Sequence, residues 1–178
     1  MQFINFAEEI SKLALNKAGK MEDILESTMK NKKKVKDNLI DLISKIGEKI
    51  TLRRSAFLEK NECINFSYTH SSFKKNIGKL GVLLSLQTTK SKDKLVDLGK
   101  QLAMQVAASS PLAIDKDDLD QNILKKEKEI IIEELKNSGK NSKIVEKIAI
   151  GKLNKFITEN TLLNQEWIME PKKKVKDI

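Results

Sequence analysis

The chain holds one cysteine, Cys63, and one histidine, His70, the residue types that most often pair as nucleophile and base. Both fall in an alternating stretch, INFSYTH at 64–70 with Cys63 just before it. If that stretch is a strand, a separation of seven positions puts the two on opposite faces and about 23 Å apart. A base must touch the nucleophile it activates, so the pair is excluded. One histidine and one cysteine also cannot complete a zinc site without an unusual number of carboxylates.

The acids Asp115, Asp117, Asp118 and Asp120 have the density of a calcium loop. Such a loop wants glycine at its sixth position and glutamate at its twelfth; counted from Asp115, those positions hold Asp120 and Lys126. The acids read instead as the start of a helix, where the dipole favours negative charge. Gly78 and Gly81 are too few and wrongly placed for a phosphate loop. We therefore predict no catalytic residue, metal ligand or cofactor, and a protein that acts through its surface and is not an enzyme.

Those surfaces need elements to carry them. Phe3, Phe6, Ala7, Ile10, Leu13 and Ala14 repeat at helical spacing from the first turn, which suggests that the sequence belongs to a longer parent. Asn16–Gly19 breaks the pattern. It returns from Val35 through Leu39, Leu42, Ile43 and Ile46, and Gly47 is a natural stop. The period then becomes two: ITLRRSAFL (50–58), a segment at 64–71 and one at 79–87 read as a three-stranded antiparallel meander. Ser91 can cap the next helix, with Asp93 in its first turn, a Leu95, Leu98, Leu102 and Val106 stripe and a stop before Pro111. Two charged helices, 121–136 and 142–158, flank a turn around Gly139.

At 178 residues the chain suits one compact domain or two small lobes and buries about 70% of its unfolded surface. Net charge is +9, which raises the alternative of a basic nucleic-acid-binding module. Only two of the 34 cations, Arg53 and Arg54, are arginine, and lysine, asparagine and isoleucine are enriched together. That favours a lysine-rich background over a phosphate-reading surface, which prefers the arginine fork. Phe66, Tyr68 and Phe73 are the aromatics that could stack on bases, but Phe66 and Tyr68 share a face with Ile64 and read as core. Nucleic acid is thus not the expected partner. One cysteine fits a reducing compartment, and no apolar run approaches the roughly 18 residues of a membrane span.

The segments KIGEKITLRRSAFLE (45–59), SYTH (67–70), KLGVLLSL (79–86), LAMQVAASSPLAIDKDDLD (102–120), SGKNSKIVEKIAIGKLNKF (138–156) and WIMEP (167–171) follow one another in an order that resembles the core of bacterial elongation factor Ts, with both ends missing. The resemblance implies an α+β fold: helices packed on the meander (1–97), a second small α+β subdomain (98–141 and 160–171), and a protruding helical module (142–159 and 172–178). It also implies a cytoplasmic nucleotide exchange factor that promotes GDP release from elongation factor Tu by binding the nucleotide-free GTPase. Lys79, Leu80, Gly81 and Val82 match the family's Arg-Ile-Gly-Val contact segment. Leu102 to Ala108, with Met104, Gln105 and Ala108, match its Ile-Ala-Met-His-Val-Ala-Ala helix, Gln105 standing where histidine is usual. Leu80, Gly81 and Gln105 are expected on one exposed surface. Ile144, Ile148 and Phe156 form the module's face, expected to be open to self-association. The family's Thr-Asp-Phe-Val motif and its C-terminal helix are absent, so this chain is expected to bind the GTPase weakly and exchange poorly.

Overall fold

The computed structural model describes residues 2–136 and 142–178; the turn around Gly139 lies outside the described residues. Among them are six α-helices and one two-stranded antiparallel sheet, an α+β fold in two compact units, residues 1–65 with 69–90 and residues 66–68 with 91–178.

The first unit opens with α1 (Gln2–Asn16), α2 (Met21–Glu26) and α3 (Val35–Ile46). Their apolar stripes meet in a cluster of Ile10, Ile24, Met29 and Val35, with Phe6, Leu13, Ala14 and Leu25 packed around it. Gly19 ends α1 at φ +73°, its N–H on the Ala14 carbonyl at 3.0 Å. Gly47 ends α3 in the same left-handed region, its N–H on Ile43 at 2.8 Å, as glycine at a helix end allows. Sequence periodicity missed α2, whose six residues span less than two turns.

The hairpin of this unit is β1 (Cys63–Lys74) and β2 (Ile77–Gln87), joined by Lys75–Asn76 with Asn76 at φ +64°, a conformation asparagine tolerates. Gly78 is obligatory here: a Cβ would lie 2.5 Å from the His70 carbonyl oxygen and 2.6 Å from Thr69 Cγ2. The expected third strand, 50–58, is not a strand. Leu52 packs into the helical cluster, and Phe57 lies against Gly19, whose Cβ would meet it at 3.1 Å. Ala56 and Leu58, which strict alternation would place on the same side as Leu52, are exposed. The segment thus follows the helices, while Asn65 Nδ2 donates to the Leu58 carbonyl at 3.1 Å.

In the second unit, α4 (Val96–Ser109) follows a 3-10 turn at Lys92–Leu95. Ser91 precedes that turn without a side-chain cap bond, so the expected capping role is not observed. Then come α5 (Gln121–Lys136) and α6 (Ser142–Asn160). Ile131 and Leu135 of α5 meet Val145 and Ala149 of α6, flanked by Ile132, Ile148 and Leu153. The segment 172–178, expected to pair with α6, instead buries Val175 against Leu162 and Trp167.

One six-residue string, KKKVKD, occurs twice, at Lys32–Asp37 and Lys172–Asp177, and folds alike in both units. Its first lysine takes positive φ, +65° and +101°. Its valine is buried, and the valine N–H bonds the carbonyl of Ser27 at 2.9 Å or of Gln165 at 3.0 Å. The lysine before the valine bridges Thr28 or Glu166. Each copy is a reverse turn that drops one β-branched residue into its unit's core. The repeat escaped the helix-and-strand reading because its period is neither.

Candidate partner-binding surface

The β2 residues that resemble a contact segment divide by exposure. Val82 is buried and anchors the strand, whereas Leu80 is 40% exposed and Leu83 is 53% exposed. Gly81 lies between them, and a Cβ built there meets nothing within 4 Å. An open glycine beside exposed leucines lets another backbone approach closely.

On α4 the period of 3.6 separates two faces. Leu95, Gly99, Ala103 and Gln105 are buried, and Gly99 is there because its Cα lies against the Phe66 ring, which a Cβ would penetrate. Leu102 and Val106 pack beside Leu162, Trp167 and Val175. Met104 is half-buried and Ala108 is exposed, four residues apart on one face. Beyond the helix, Leu112 and Ile114 are exposed. Their strand-like segment runs beside 160–163, with Leu112 N–H on the Asn160 carbonyl at 2.9 Å and Leu162 N–H on Ala113 at 2.9 Å.

Gln105 corrects the expectation that it lies on an exposed surface: it is 1% exposed. Its Oε1 accepts from the Ile168 N–H at 2.9 Å, and its Nε2 donates to the Glu166 carbonyl at 3.2 Å. Ser109 Oγ donates to Gln165 Oε1 at 2.6 Å, and Gln165 Nε2 donates to the Glu159 carbonyl at 2.7 Å. A polar side chain in this position survives burial because its hydrogen bonds are met. Gln105 therefore ties the Gln165–Ile168 loop to α4. Spacing placed it beside Met104; it could not reveal what the chain sixty residues later brings against it.

Asp115, Asp118 and Asp120 accept backbone N–H bonds at the starts of the Lys116–Asp118 3-10 turn and of α5. Asp115 Oδ1 accepts from Lys116 N–H at 2.7 Å and from Asn164 Nδ2 at 2.8 Å; these two bonds, the backbone one foremost, hold its carboxyl below the usual range. Asp118 Oδ2 accepts from Asp115 N–H at 3.1 Å. Asp120 Oδ1 accepts from Asn122 N–H at 2.8 Å at the start of α5. Cys63 opens β1 and His70 lies seven positions further along the same strand. Among the described residues, no three histidine, cysteine or acidic side chains are placed to share a metal ion, and no helix is long and apolar enough to cross a membrane.

The face expected on α6 is partly occupied. Ile148 packs into the α5–α6 seam and Phe156 is half-buried; the side chain of Ile144 lies outside the described residues. What α5 and α6 leave open is Ile123, Ile130 and Ile150.

The described residues define an α+β protein with an exposed strand segment in one unit and a helix face of small apolar residues in the other. The sequence matches the elongation factor TS family over residues 1–178. It is 37% identical over 175 residues to "Elongation factor Ts" of Rhizobium meliloti (strain 1021), covering 98% of this chain and 57% of that protein. It is 34% identical over 176 residues to that of Gluconobacter oxydans (strain 621H), covering 99% and 58%. To that of Rickettsia felis (strain ATCC VR-1525 / URRWXCal2) it is 37% identical over 178 residues, covering 99% and 57%. The chain belongs to the elongation factor Ts family, and it spans a little over half the length of these relatives.

Proposed function

We propose that this chain is a translation elongation component that binds the GTPase elongation factor Tu in its nucleotide-free form and so promotes GDP release. It works by binding, in the cytoplasm, and not by making or breaking bonds. Family membership supports the partner, and the observation that carries the reading is Gly81, open to solvent between exposed Leu80 and Leu83. A factor that prefers the empty GTPase and a nucleotide that prefers the loaded one weaken each other equally. Accelerating release a thousandfold takes about 4 kcal/mol of barrier lowering, within the range of a few well-packed interface residues.

In this reading Leu80 and Gly81 meet the GTPase directly, Val82 holds the strand, and Met104 and Ala108 offer a second contact. Gln105 is a positioning residue, since its polar groups are engaged within the protein. We further propose that the two compact units are the family's two core subdomains, with α5 and α6 as the helical module of the second.

The test is Gly81→Val in this chain, with binding to nucleotide-free elongation factor Tu read by calorimetry. We expect about tenfold weaker binding at an unchanged melting temperature. Unchanged binding by a folded variant would remove β2 from the interface.

A further inference from the structure

We propose that the tip of the β1–β2 hairpin is a contact for single-stranded nucleic acid, with the Phe73 ring stacked on a base and Lys75 and Lys79 meeting phosphates beside it. The inference is independent of the GTPase reading. Of the chain's net charge of +9, the first unit carries +7, from 17 lysines and arginines against 10 acids. Residues 63–92, which contain the whole hairpin, hold no aspartate or glutamate but five lysines and His70. A hairpin that itself carries no acid is biased toward positive potential, which Glu8 offsets only at Lys74.

The tip adds an aromatic to that charge. Phe73 is 67% exposed, the most exposed large apolar side chain among the described residues. Phe66, by contrast, is buried against Gly99, and Tyr68 is half-buried. Among the described residues the other exposed aromatic is Phe3, at 50%, which lies outside the hairpin. Lys75 and Lys79 are exposed and make no ion pair among the described residues. Lys74 is the exception, held by Glu8 at 2.8 Å, and is left out of the proposal.

An exposed ring on a lysine-bearing hairpin tip suits sequence-tolerant binding of unpaired bases: stacking supplies a flat contact and lysines track the backbone. A membrane is the weaker fit. Insertion needs contiguous apolar area, yet Ser71, Ser72, Lys74, Lys75 and Asn76 surround Phe73 along the chain.

Fluorescence anisotropy of a short labelled oligouridylate, with the whole chain titrated from about 50 to 200 mM salt, tests this. Phe73→Ala should weaken binding about five- to 150-fold while leaving the salt slope unchanged. Lys75→Gln with Lys79→Gln should flatten the slope by about 1.4, at roughly 0.7 per lost phosphate contact. Phe73→Trp should retain affinity, and its fluorescence should quench on binding. The proposal is overturned if Phe73→Ala binds like the parent, which would leave diffuse lysine attraction alone. It is overturned equally if the parent binds phosphatidylglycerol vesicles but not the oligonucleotide.

Discussion

Replacing Gln105 with methionine keeps nearly the same length and volume while removing both hydrogen-bonding ends. The Ile168 N–H then loses its 2.9 Å acceptor and the Glu166 carbonyl its 3.2 Å donor; the 3.4 Å contacts to Ser109 and Gln165 are near the geometric limit and count little. A buried group left without a partner costs about 1–3 kcal/mol, but these backbone groups are only part-buried, so we expect about 2 kcal/mol in all. Gln105→Ala removes four heavy atoms from a residue that is 1% exposed, and the cavity should raise the loss to about 3–4 kcal/mol. The chain's single tryptophan, Trp167, is 3% exposed in the loop that Gln105 secures. Urea denaturation followed by Trp167 fluorescence therefore reports the unit in question. If the methionine variant unfolds within about 0.5 kcal/mol of the parent, the hydrogen bonds do not secure the loop, and the account of Gln105 as a positioning residue fails.

Gly99→Ala drives a methyl into the Phe66 ring; overpacking of this kind costs about 1–3 kcal/mol, readable in the same Trp167 titration. Gly47→Ala meets no atom within 4 Å but is confined to φ +78°, so it should cost only the left-handed backbone penalty, about 1 kcal/mol, checked by thermal melting. Lys34 and Lys36 hydrogen-bond the Glu26 carboxylate at 2.7 and 2.6 Å and hold its pKa down to about 2. Because the folded value is depressed, this contribution to stability is present above about pH 4.5 and is lost as pH falls toward 2. NMR titration of the Glu26 carboxyl should show the low midpoint, and salt should move it back toward 4.5, since the pair is at the surface.

Elements whose signal is local are legible in the amino-acid sequence. Period-3.6 stripes gave α1, α3, α4, α5 and α6, and Gly47 marked a helix end because glycine alone enters the left-handed region freely. Alternation gave β1 and β2, and the acids from Asp115 to Asp120 announced their capping role through their position before a helical stretch. The separation of Cys63 from His70 was also legible, because the two lie seven positions apart on one strand. Tertiary structure decided everything that depends on what lies opposite. Alternation at 50–58 was real, but Leu52 and Phe57 had better partners in α1, α2 and Gly19 than in β1, so no third strand formed. Gln105 sits at a position whose neighbours in sequence are partly exposed, and only the return of residues 165–168 buries it. The α6 stripe is covered in part by α5, through Ile131 and Leu135 against Val145 and Ala149. Phe66 is buried in the core and Phe73 stands in solvent, a distinction that alternation alone does not carry. Periodicity states which side chains share a face; burial is a property of the second surface, and that surface is assembled by contacts between residues far apart in the chain.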